Sequence, residues 1–444
     1  MKGGKQKISQ DTCHHESRAA PEGRDGGQTF MWITENKLTN TDRPEYGLLE
    51  QILSPSNLNR AYKRVRSNKG SGGIDKMEVE SLKDYLVDNK DQLIQSILDG
   101  SYRPNPVRRV EIPKEKGVRK LGIPTVVDRV IQQATAQVLS PIYEKQFSSN
   151  SYGFRPRRNA HQALNKCRNY ITDGYIYAVD MDLEKFFDTV NQSKLIEVLS
   201  RTVKDGRVIS LIHKYLNAGV VVGNKFEESE MGVPQGGPLS PLLSNIMLNE
   251  LDKELEMRGH RFVRYADDLV ILCKSKRSAE RTLSKIVPYI EYKLFLKVNK
   301  DKTKSANVRE VKFLGYSFYY YNGVGRLRVH PRSVIKMTER IKALTSRNNG
   351  WGNERRKREL SRYITGWVNY FKLADMQGLL RNIDRWYRRR LRMVIWKQWK
   401  RVRTRYRNLR KLGIVHSTAL EWANTRKGYW HIAHSYILSR TITN

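Results

Sequence analysis

The chain has 444 residues, 39% of them apolar, which allows two to four domains and at least one sizeable core. Its 82 lysines and arginines outnumber the 45 acidic residues by 37, and such an excess points to a polyanionic partner. Nucleic acid is the best fit, because each phosphate that the protein neutralises releases a counterion and so favours binding. An anionic membrane surface is the rival interpretation, weakened because the sequence holds no apolar run of about 18 residues, the minimum for a spanning helix.

The three cysteines predict neither a disulfide framework nor a zinc site. Cys13, Cys167 and Cys273 lie far apart, and Cys13-His14-His15 has no second cluster to complete a metal site, so we interpret it as part of a polar tail. The first thirty residues lack the apolar core of a secretory signal. We therefore expect a reducing cytoplasm.

The first part of the chain divides into a polar tail and a helical segment. Residues 1–45 hold few large apolar side chains and cannot bury much surface, so we expect disorder there. From Leu48 onward apolar residues recur at helical spacing, and Ser56 or Asn57 is the expected N-cap of a second helix. The predicted segments are a helix at 48–53, a helix through Tyr62 and Val65, a flexible basic loop at 69–73 and a helix at 81–98.

Residues 108–318 mix strands and helices. Residues 175–183 are apolar enough for a central strand, and 262–273 looks like two short strands joined at Asp267-Asp268. The other predicted elements are a strand at 107–112 and helices at 128–139, 160–171 and 242–255, the last with Ser240 as N-cap and Pro241 as first helical residue. The pattern predicts an α+β domain without the regular βαβ alternation of a doubly wound fold.

After Arg332 the strands stop, and apolar residues recur only at helical spacing. One helix is predicted at 334–344, a second at 360–371, and a third with a long apolar stripe at 391–409. A helical domain therefore follows the mixed one.

Two adjacent carboxylates, Asp267 and Asp268, separate the apolar halves of residues 262–273. Charged groups are costly to bury unless they are paired or bound to metal. Polymerase chemistry needs such a cluster, since two Mg²⁺ ions about 4 Å apart activate the primer 3′-hydroxyl and stabilise the leaving pyrophosphate. A solvated Asp-Asp turn is the alternative, because so short a motif recurs by chance.

A second acidic element and a glycine-rich loop make the polymerase interpretation more specific. Asp180 and Asp182 share one face at the end of an apolar strand, and the spacing alone leaves open which of them is a metal ligand. The loop 232–241 contains glycines that permit close backbone approach to a ligand, although a plain connection into the next helix is the alternative. The three elements in this order are much more specific than any one of them.

The chain resembles the group II intron-encoded reverse transcriptases, or maturases, of bacteria, from about Leu48 to about Trp430. The motifs that carry the resemblance lie at 108–114, 121–129, 151–156, 180–188, 234–237, 265–268, 297–299, 302–304 and 313–316. Residues 366–371, Gly-Trp-Val-Asn-Tyr-Phe, resemble the signature of the maturase-specific thumb domain. Trp367 and Phe371 in that signature are expected to be core residues.

The resemblance implies a right-hand polymerase of the α+β class, with fingers and an antiparallel palm sheet followed by an all-helical thumb. The implied domains are an N-terminal extension at 1–45, a helical extension of the fingers at 46–100, fingers and palm at 101–325, a helical thumb at 326–412 and a short DNA-binding region at 413–444. That last region stops about twenty residues sooner than the resemblance implies, and no endonuclease motif follows, which argues against second-strand cleavage.

The resemblance also implies roles for individual residues. Asp182 becomes the first metal ligand, Asp267 the second, and Asp268 completes a triad that holds two Mg²⁺ ions, which leaves Asp180 a structural role. Phe187 would gate against a ribose 2′-hydroxyl. The residues implied to bind the incoming dNTP are Lys114, Arg119, Phe187, Gln235 and Lys302, the last by assisting pyrophosphate departure.

Residues 388–411 contain twelve lysines or arginines and no acid, so a helix here would present a strongly basic outer face. Such a helix can lie on a membrane, and a solvated charged face is a further alternative, but the polymerase motifs favour RNA, whose phosphates arginine contacts well. The residues expected to contact RNA or DNA are Arg388, Arg389, Arg392, Lys400, Arg401, Arg403 and Arg407.

The implied function is an RNA-directed DNA polymerase that binds its intron RNA to assist splicing and copies it into DNA during intron mobility. Its partners would be group II intron RNA, an RNA template with a DNA primer, and target DNA, with no membrane partner; monomer and homodimer both stay open. Two alternatives are an RNA-binding splicing factor with an idle polymerase and a reverse transcriptase adopted by the host for DNA repair or defence.

Overall fold

Three helices open the part of the chain that the structure describes. The structure is a computed structural model that describes residues 47–113, 117–223 and 225–442, so the predicted disorder at 1–45 and the predicted role of Lys114 lie outside it. The helices are α1 (Leu48–Leu53), α2 (Pro55–Asn68) and α3 (Leu82–Leu98), as the helical spacing predicted.

The N-cap predicted for α2 is wrong. Ser54, not Ser56 or Asn57, precedes the helix, because the proline after Ser54 has a backbone angle suited to a first helical turn. Asn57 is buried inside the helix instead, and its side-chain amide donates to the carbonyl oxygens of Ile52 at 2.9 Å and Ala134 at 3.0 Å. A buried amide with two partners ties neighbouring segments together.

The loop at 69–73, predicted to be flexible, is anchored by two arginines. The Arg108 guanidinium donates to the Gly72 carbonyl at 2.8 Å, and that of Arg129 donates to the Ser71 carbonyl at 2.5 Å. Contacts of this kind fix the backbone of the loop against the segments that carry the two arginines.

The elements predicted between residues 107 and 273 occur in the predicted order, with others between them that the sequence patterns did not indicate. The strands are β1 (Val107–Pro113), β2 (Val118–Ile123), β3 (Tyr177–Met181), β4 (Val220–Val222), β5 (Lys225–Glu227), β6 (Arg261–Tyr265), β7 (Asp268–Cys273), β8 (Lys304–Asn307), β9 (Tyr316–Tyr321) and β10 (Val324–Val329). The helices among them are α4 (Val126–Glu144), α5 (Ala160–Thr172), α6 (Phe186–Thr189), α7 (Gln192–Thr202), α8 (Gly206–Leu216), α9 (Ser240–Met257) and α10 (Lys276–Tyr292). After β10 come α11 (Pro331–Leu344), α12 (Asn353–Phe371), α13 (Gln377–Gln398), α14 (Val402–Lys411), α15 (His416–Ala423), α16 (Tyr429–Ile432) and α17 (Tyr436–Thr441).

Two four-stranded sheets and one hairpin organise the mixed region. The first sheet has the order β2-β1-β4-β5, and the second has the order β6-β7-β3-β8 with antiparallel pairing throughout. Strands β9 and β10 form the hairpin, after which only helices follow. The arrangement agrees with the predicted α+β class and with the predicted end of the strands before Arg332.

One buried cluster joins the second sheet to the helices that follow the strands. Val270 of β7 and Leu164 of α5 belong to it, together with Ile341 of α11 and Trp367 and Phe371 of α12. The rings of Trp367 and Phe371 lie 4.5 Å apart between centroids, and both side chains are buried. Their prediction as core residues is confirmed, and the thumb signature therefore shares one core with the sheet, with the Phe371 ring 5.0 Å from that of Tyr316 on β9.

The helix predicted at 391–409 is two helices. The first ends at Gln398 and the second begins at Val402, with the chain turning between them. The turn allows Trp396 and Leu409 to share one buried cluster with Ile432. In an unbroken helix Trp396 and Leu409 would lie about 20 Å apart along the axis, which is too far for them to share one small core.

Candidate active site

The end of the second sheet brings together acidic residues from two distant segments. Strand β3 pairs antiparallel with β7, and the last pair in the register is Met181 with Leu269, so Asp182 and Asp268 come next on the two strands. Residues opposite each other in an antiparallel pair share a face of the sheet. Their carboxylates therefore emerge on the same side.

Asp267 lies in a two-residue turn between β6 and β7. Tyr265 pairs with Asp268, which leaves Ala266 and Asp267 as the turn. Ala266 has a φ of 58°, in the left-handed region that residues with a Cβ seldom adopt. The surrounding protein must therefore impose this shape.

Arg264 imposes the shape from inside the core. Its guanidinium donates to the Ala266 carbonyl at 3.0 Å and to the Asn245 side-chain oxygen at 2.9 Å. It also forms an ion pair with Asp252 at 2.5 Å, and the two side chains are 1% and 0% exposed. The motif search missed these residues, although an arginine in an apolar strand is itself a signal, because a buried charge requires a partner.

The carboxylates at this sheet end disfavour one another's charge. Asp268 is exposed at the sheet end, but desolvation by the protein around it, and then the charges of Asp267 and Asp182, raise its pKa to about 6. Burial also raises the pKa of Asp180 to about 6, with Asp268 and Asp182 adding to the shift against the opposing charge of Lys304. A cation bound here would relieve this repulsion.

Asp182 is held by the segment that directly precedes β8. The Lys302 ammonium lies 3.0 Å from the Asp182 carboxylate. The backbone N–H of Asp182 donates to the Thr303 hydroxyl at 3.1 Å, and its carbonyl accepts from the Asn299 N–H at 2.9 Å. Lys302 was predicted at the site, whereas the anchoring roles of Thr303 and Asn299 emerge only from the structure.

These carboxylates suit a magnesium ion that takes its remaining ligands from a substrate and from water. Within the described ranges, no three His, Cys, Asp or Glu side chains are grouped closely enough to enclose a metal on their own. Mg²⁺ at phosphate-transfer sites commonly takes only one or two carboxylates and completes its shell with substrate phosphates and water. Asp182 and Asp268, neighbours across β3 and β7, supply such a pair.

Two residues predicted to bind the nucleotide meet at the first sheet. The Arg119 Nε–H of β2 donates to the side-chain oxygen of Gln235 at 3.1 Å, and the Gln235 carbonyl accepts from the Gly122 N–H at 2.7 Å. The loop 232–241 is thus attached to β2, and Arg119 and Gln235 present one amide–guanidinium surface. Lys114 belongs to the connection between β1 and β2 that lies outside the described residues.

The same loop also supports Phe187. Phe187 is half-buried and lies in α6, the short helix that follows Asp182. Its carbonyl accepts a hydrogen bond from the Val233 N–H at 2.6 Å. Its ring lies 5.3 Å from that of Phe186, edge to face. The loop therefore connects the predicted ribose gate to the residues around Gln235.

The glycines of the loop serve the protein's own packing. A Cβ at Gly236, whose φ is 126°, would overlap the carbonyl oxygen of Gly122. At Gly236 the close approach is to β2, and approach of a ligand to the other glycines of the loop stays a prediction. Ser240 is likewise not the N-cap of α9, since Leu239 takes that place and the Ser240 hydroxyl donates to the Pro234 carbonyl at 2.5 Å. This bond closes the loop against the helix.

Tyr370 of the thumb signature contacts two segments outside α12. The Tyr370 hydroxyl donates to the Leu314 carbonyl at 2.9 Å, and the Tyr370 carbonyl lies 2.7 Å from the ring nitrogen of His161. Burial raises the pKa of Tyr370, and the charges of Tyr265 and Asp268 add to the effect. These two bonds attach α12 to α5 and to the loop before β9.

Two of the predicted nucleic-acid contacts have partners within the protein, and a third is half-buried. Arg388 pairs with Asp384 at 2.8 Å. The Arg389 guanidinium lies 4.0 Å from the centre of the Trp430 ring and donates to the Trp430 carbonyl at 3.1 Å. Arg392 is half-buried on α13. These three side chains contribute to packing as well as to charge.

The other four predicted contacts are exposed around the turn that separates α13 from α14. They are Lys400, Arg401, Arg403 and Arg407. In the ranges that the structure covers, no helix is both long and apolar enough to cross a membrane. Arg403 and Arg407 are four residues apart on α14 and so share a helix face, and we call the four cations together the α14 basic surface.

Two family descriptions match consecutive parts of the chain. Residues 112–318 match "Reverse transcriptase (RNA-dependent DNA polymerase)", and residues 334–413 match "Group II intron, maturase-specific domain". The first segment contains Asp182, Asp267 and Asp268, and the second contains α12 and α13.

Several known proteins are similar to this chain. Protein YkfC of Escherichia coli is 35% identical over 311 residues, covering 61% of this chain and 82% of YkfC. Group II intron-encoded protein LtrA of Lactococcus lactis is 30% identical over 388 residues, covering 70% of this chain and 62% of LtrA. A chain of a partial Cas6-RT-Cas1–Cas2 complex is 25% identical with a TM-score of 0.36, covering 56% of this chain and 43% of that one.

Proposed function

This chain belongs to the reverse transcriptases that carry a group II intron maturase domain, and from that premise we propose that it binds a group II intron RNA, assists its splicing and copies it into DNA. The observation that carries the proposal is the adjacency of Asp182 and Asp268 at the end of β3 and β7, with Asp267 in the turn beside them. A carboxylate cluster of this kind is what two-metal nucleotidyl transfer requires.

Asp182, Asp267 and Asp268 would hold two Mg²⁺ ions. When bound, these ions lower the pKa of the primer 3′-hydroxyl and stabilise charge on the leaving pyrophosphate. Arg264 holds the turn that carries Asp267 and Asp268 by donating to the Ala266 carbonyl. The Thr303 hydroxyl holds Asp182 by accepting from its backbone N–H.

The incoming dNTP would be oriented by residues on the other side of the site. Arg119 offers guanidinium donors to the triphosphate, and Gln235 is held beside it. Phe187 would exclude a ribose 2′-hydroxyl by contact with the sugar. Lys302, now paired with Asp182, would neutralise charge on the departing pyrophosphate.

Intron RNA would bind across the α14 basic surface, because its four cations are free to reach phosphates. A template RNA with its DNA primer would occupy the cleft at the carboxylates, and target DNA would bind farther toward the C-terminal helices. The setting we propose for these steps is the cytoplasm.

The test removes the two hairpin carboxylates together, as Asp267→Ala with Asp268→Ala. We expect cDNA synthesis on an RNA template to fall to background, while splicing of the bound intron RNA continues, since stabilising folded RNA does not require the metals. The matched control is Glu227→Ala with Glu228→Ala, two adjacent exposed acids on and beside β5, which changes the net charge equally. Full cDNA synthesis by the hairpin variant would refute the catalytic assignment, and parent protein that extends no primer would support the idle-polymerase alternative.

A further inference from the structure

Phe154 is an exposed aromatic residue with a left-handed backbone. Its side chain is 55% exposed, and its φ is 57°, in the left-handed region. A bulky residue holds such a backbone only where the surroundings impose it, and residues of this kind cluster at functional sites. No role assigned above uses this ring.

Both neighbours of Phe154 are clamped. The Gly153 carbonyl accepts from the Asn245 side-chain amide at 2.9 Å. The Arg155 guanidinium is buried and donates to the Glu144 carboxylate at 2.7 Å and to the Ser151 carbonyl at 2.8 Å. With the chain fixed on each side, the ring is kept out of the core.

The clamp places the backbone of this segment beside the turn between β6 and β7. The segment before Phe154 runs along β6, because the Tyr152 N–H donates to the Arg264 carbonyl at 2.9 Å. A Cβ at Gly153 would overlap the backbone nitrogen of Ala266, so the two backbones touch. Phe154 is the next residue, and it therefore emerges next to Ala266 and Asp267.

The chain beyond the ring adds exposed positive charge. Arg157 is exposed and also adopts a left-handed backbone, with a φ of 60°. Arg158 lies 5.3 Å from the centre of the Tyr152 ring and donates to the Ser149 carbonyl at 2.6 Å. An exposed ring followed by a free arginine suits a nucleotide, which offers a flat face and a phosphate.

We propose that Phe154 stacks on the primer–template duplex at the nucleotides next to the primer 3′ end and so fixes that end against Asp267 and Asp268. The inference rests on the proposed polymerase function. We assign Phe154 to the primer–template duplex and not to the dNTP. The residues proposed to bind the dNTP, Arg119 and Gln235, meet at β2 instead.

The experiment compares Phe154→Ala, Phe154→Gly and Phe154→Tyr with a control at Phe295. Phe295 is also left-handed, with a φ of 54°, and 54% exposed, so Phe295→Ala removes an equivalent ring elsewhere. The measurements are the Kd for an RNA–DNA primer–template without dNTP, the dNTP KM in single-turnover extension, and the unfolding temperature. A primer carrying 2-aminopurine at its 3′ end reports stacking directly.

Loss of one aromatic stack should weaken duplex binding about tenfold in Phe154→Ala and Phe154→Gly, with the dNTP KM unchanged. Phe154→Tyr should bind within about twofold of the parent, because it keeps a stacking ring. Phe154→Gly should unfold at the same or a higher temperature than the parent, since glycine relieves the left-handed backbone. Phe295→Ala should bind the duplex as the parent does.

Parent-like duplex binding by Phe154→Gly would overturn the inference, and so would equal losses for Phe154→Tyr and Phe154→Gly. Loss of binding with an equal loss of unfolding temperature in all three variants would assign Phe154 a structural role and overturn it too. These outcomes bear on Phe154 only when the parent protein itself extends the primer. A parent without extension would instead refute the proposed polymerase function.

Discussion

Removing the guanidinium of Arg264 tests how the turn between β6 and β7 is held. Arg264→Met keeps an apolar stem of similar length but removes the donors to Asp252, Asn245 and the Ala266 carbonyl. Because the Arg264 and Asp252 side chains are 1% and 0% exposed, water cannot replace the lost partner. The variant leaves a carboxyl group alone in the core.

Removing one partner of a buried ion pair lowers the free energy of unfolding by about 3–5 kcal/mol. This is a large share of the about 5–15 kcal/mol that stabilises a typical domain. The matched control is Arg207→Met, which breaks ion pairs with Glu50 at 2.6 Å and with Asp205 at 3.2 Å on the surface, where the Arg207 side chain is 47% exposed. Exposed pairs contribute about 0–1 kcal/mol, so the control should unfold close to the parent. The difference isolates the effect of burial.

The penalty should depend on pH. Burial already raises the pKa of Asp252 against the opposing charge of Arg264, and loss of the guanidinium raises it further. A carboxyl group whose pKa is higher in the folded than in the unfolded state loses stability as pH rises between those two values. Arg264→Met should therefore be closest to the parent below about pH 4, the ordinary pKa of aspartate, and fall behind as pH rises.

Urea unfolding at several pH values and primer extension at one pH complete the test. Arg264→Met with Asp252→Leu removes the lone charge, so part of the stability should return, because apolar replacement of a buried pair is often tolerated. Extension should stay low, since the Ala266 carbonyl still lacks its donor. Stability loss no greater than that of Arg207→Met, or extension restored together with stability, would refute this account of the turn.

Two further predictions concern the nucleic acid and the nucleotide. Replacing Arg401, Arg403 and Arg407 with Gln should weaken RNA binding and lower the slope of log K against log salt by about 2–3, whereas an unchanged slope would remove these side chains from the interface. Phe187→Ala should reduce the preference for dNTP over rNTP by about tenfold or more in single-nucleotide extension, because the sugar loses its steric contact. An unchanged preference would place the gate elsewhere.

Local sequence patterns were sufficient for much of the fold. The spacing of apolar residues predicted the type and order of α3, α4, α5 and the β6–β7 hairpin, because helix and strand periods are local properties. The pattern failed where distant contacts decide. The stripe at 391–409 looks like one helix, yet burying Trp396 and Leu409 together requires the turn before α14.

By itself, the sequence determined which acids are available and that strands surround them, since Asp267 and Asp268 interrupt an apolar segment. It left Asp180 and Asp182 equivalent, because both lie on one face of a strand. Only the tertiary structure placed Asp182 beside Asp268, through the register of β3 on β7. It also decided that Arg264 is buried behind the turn, because partners such as Asp252 come from another element and no local pattern records them.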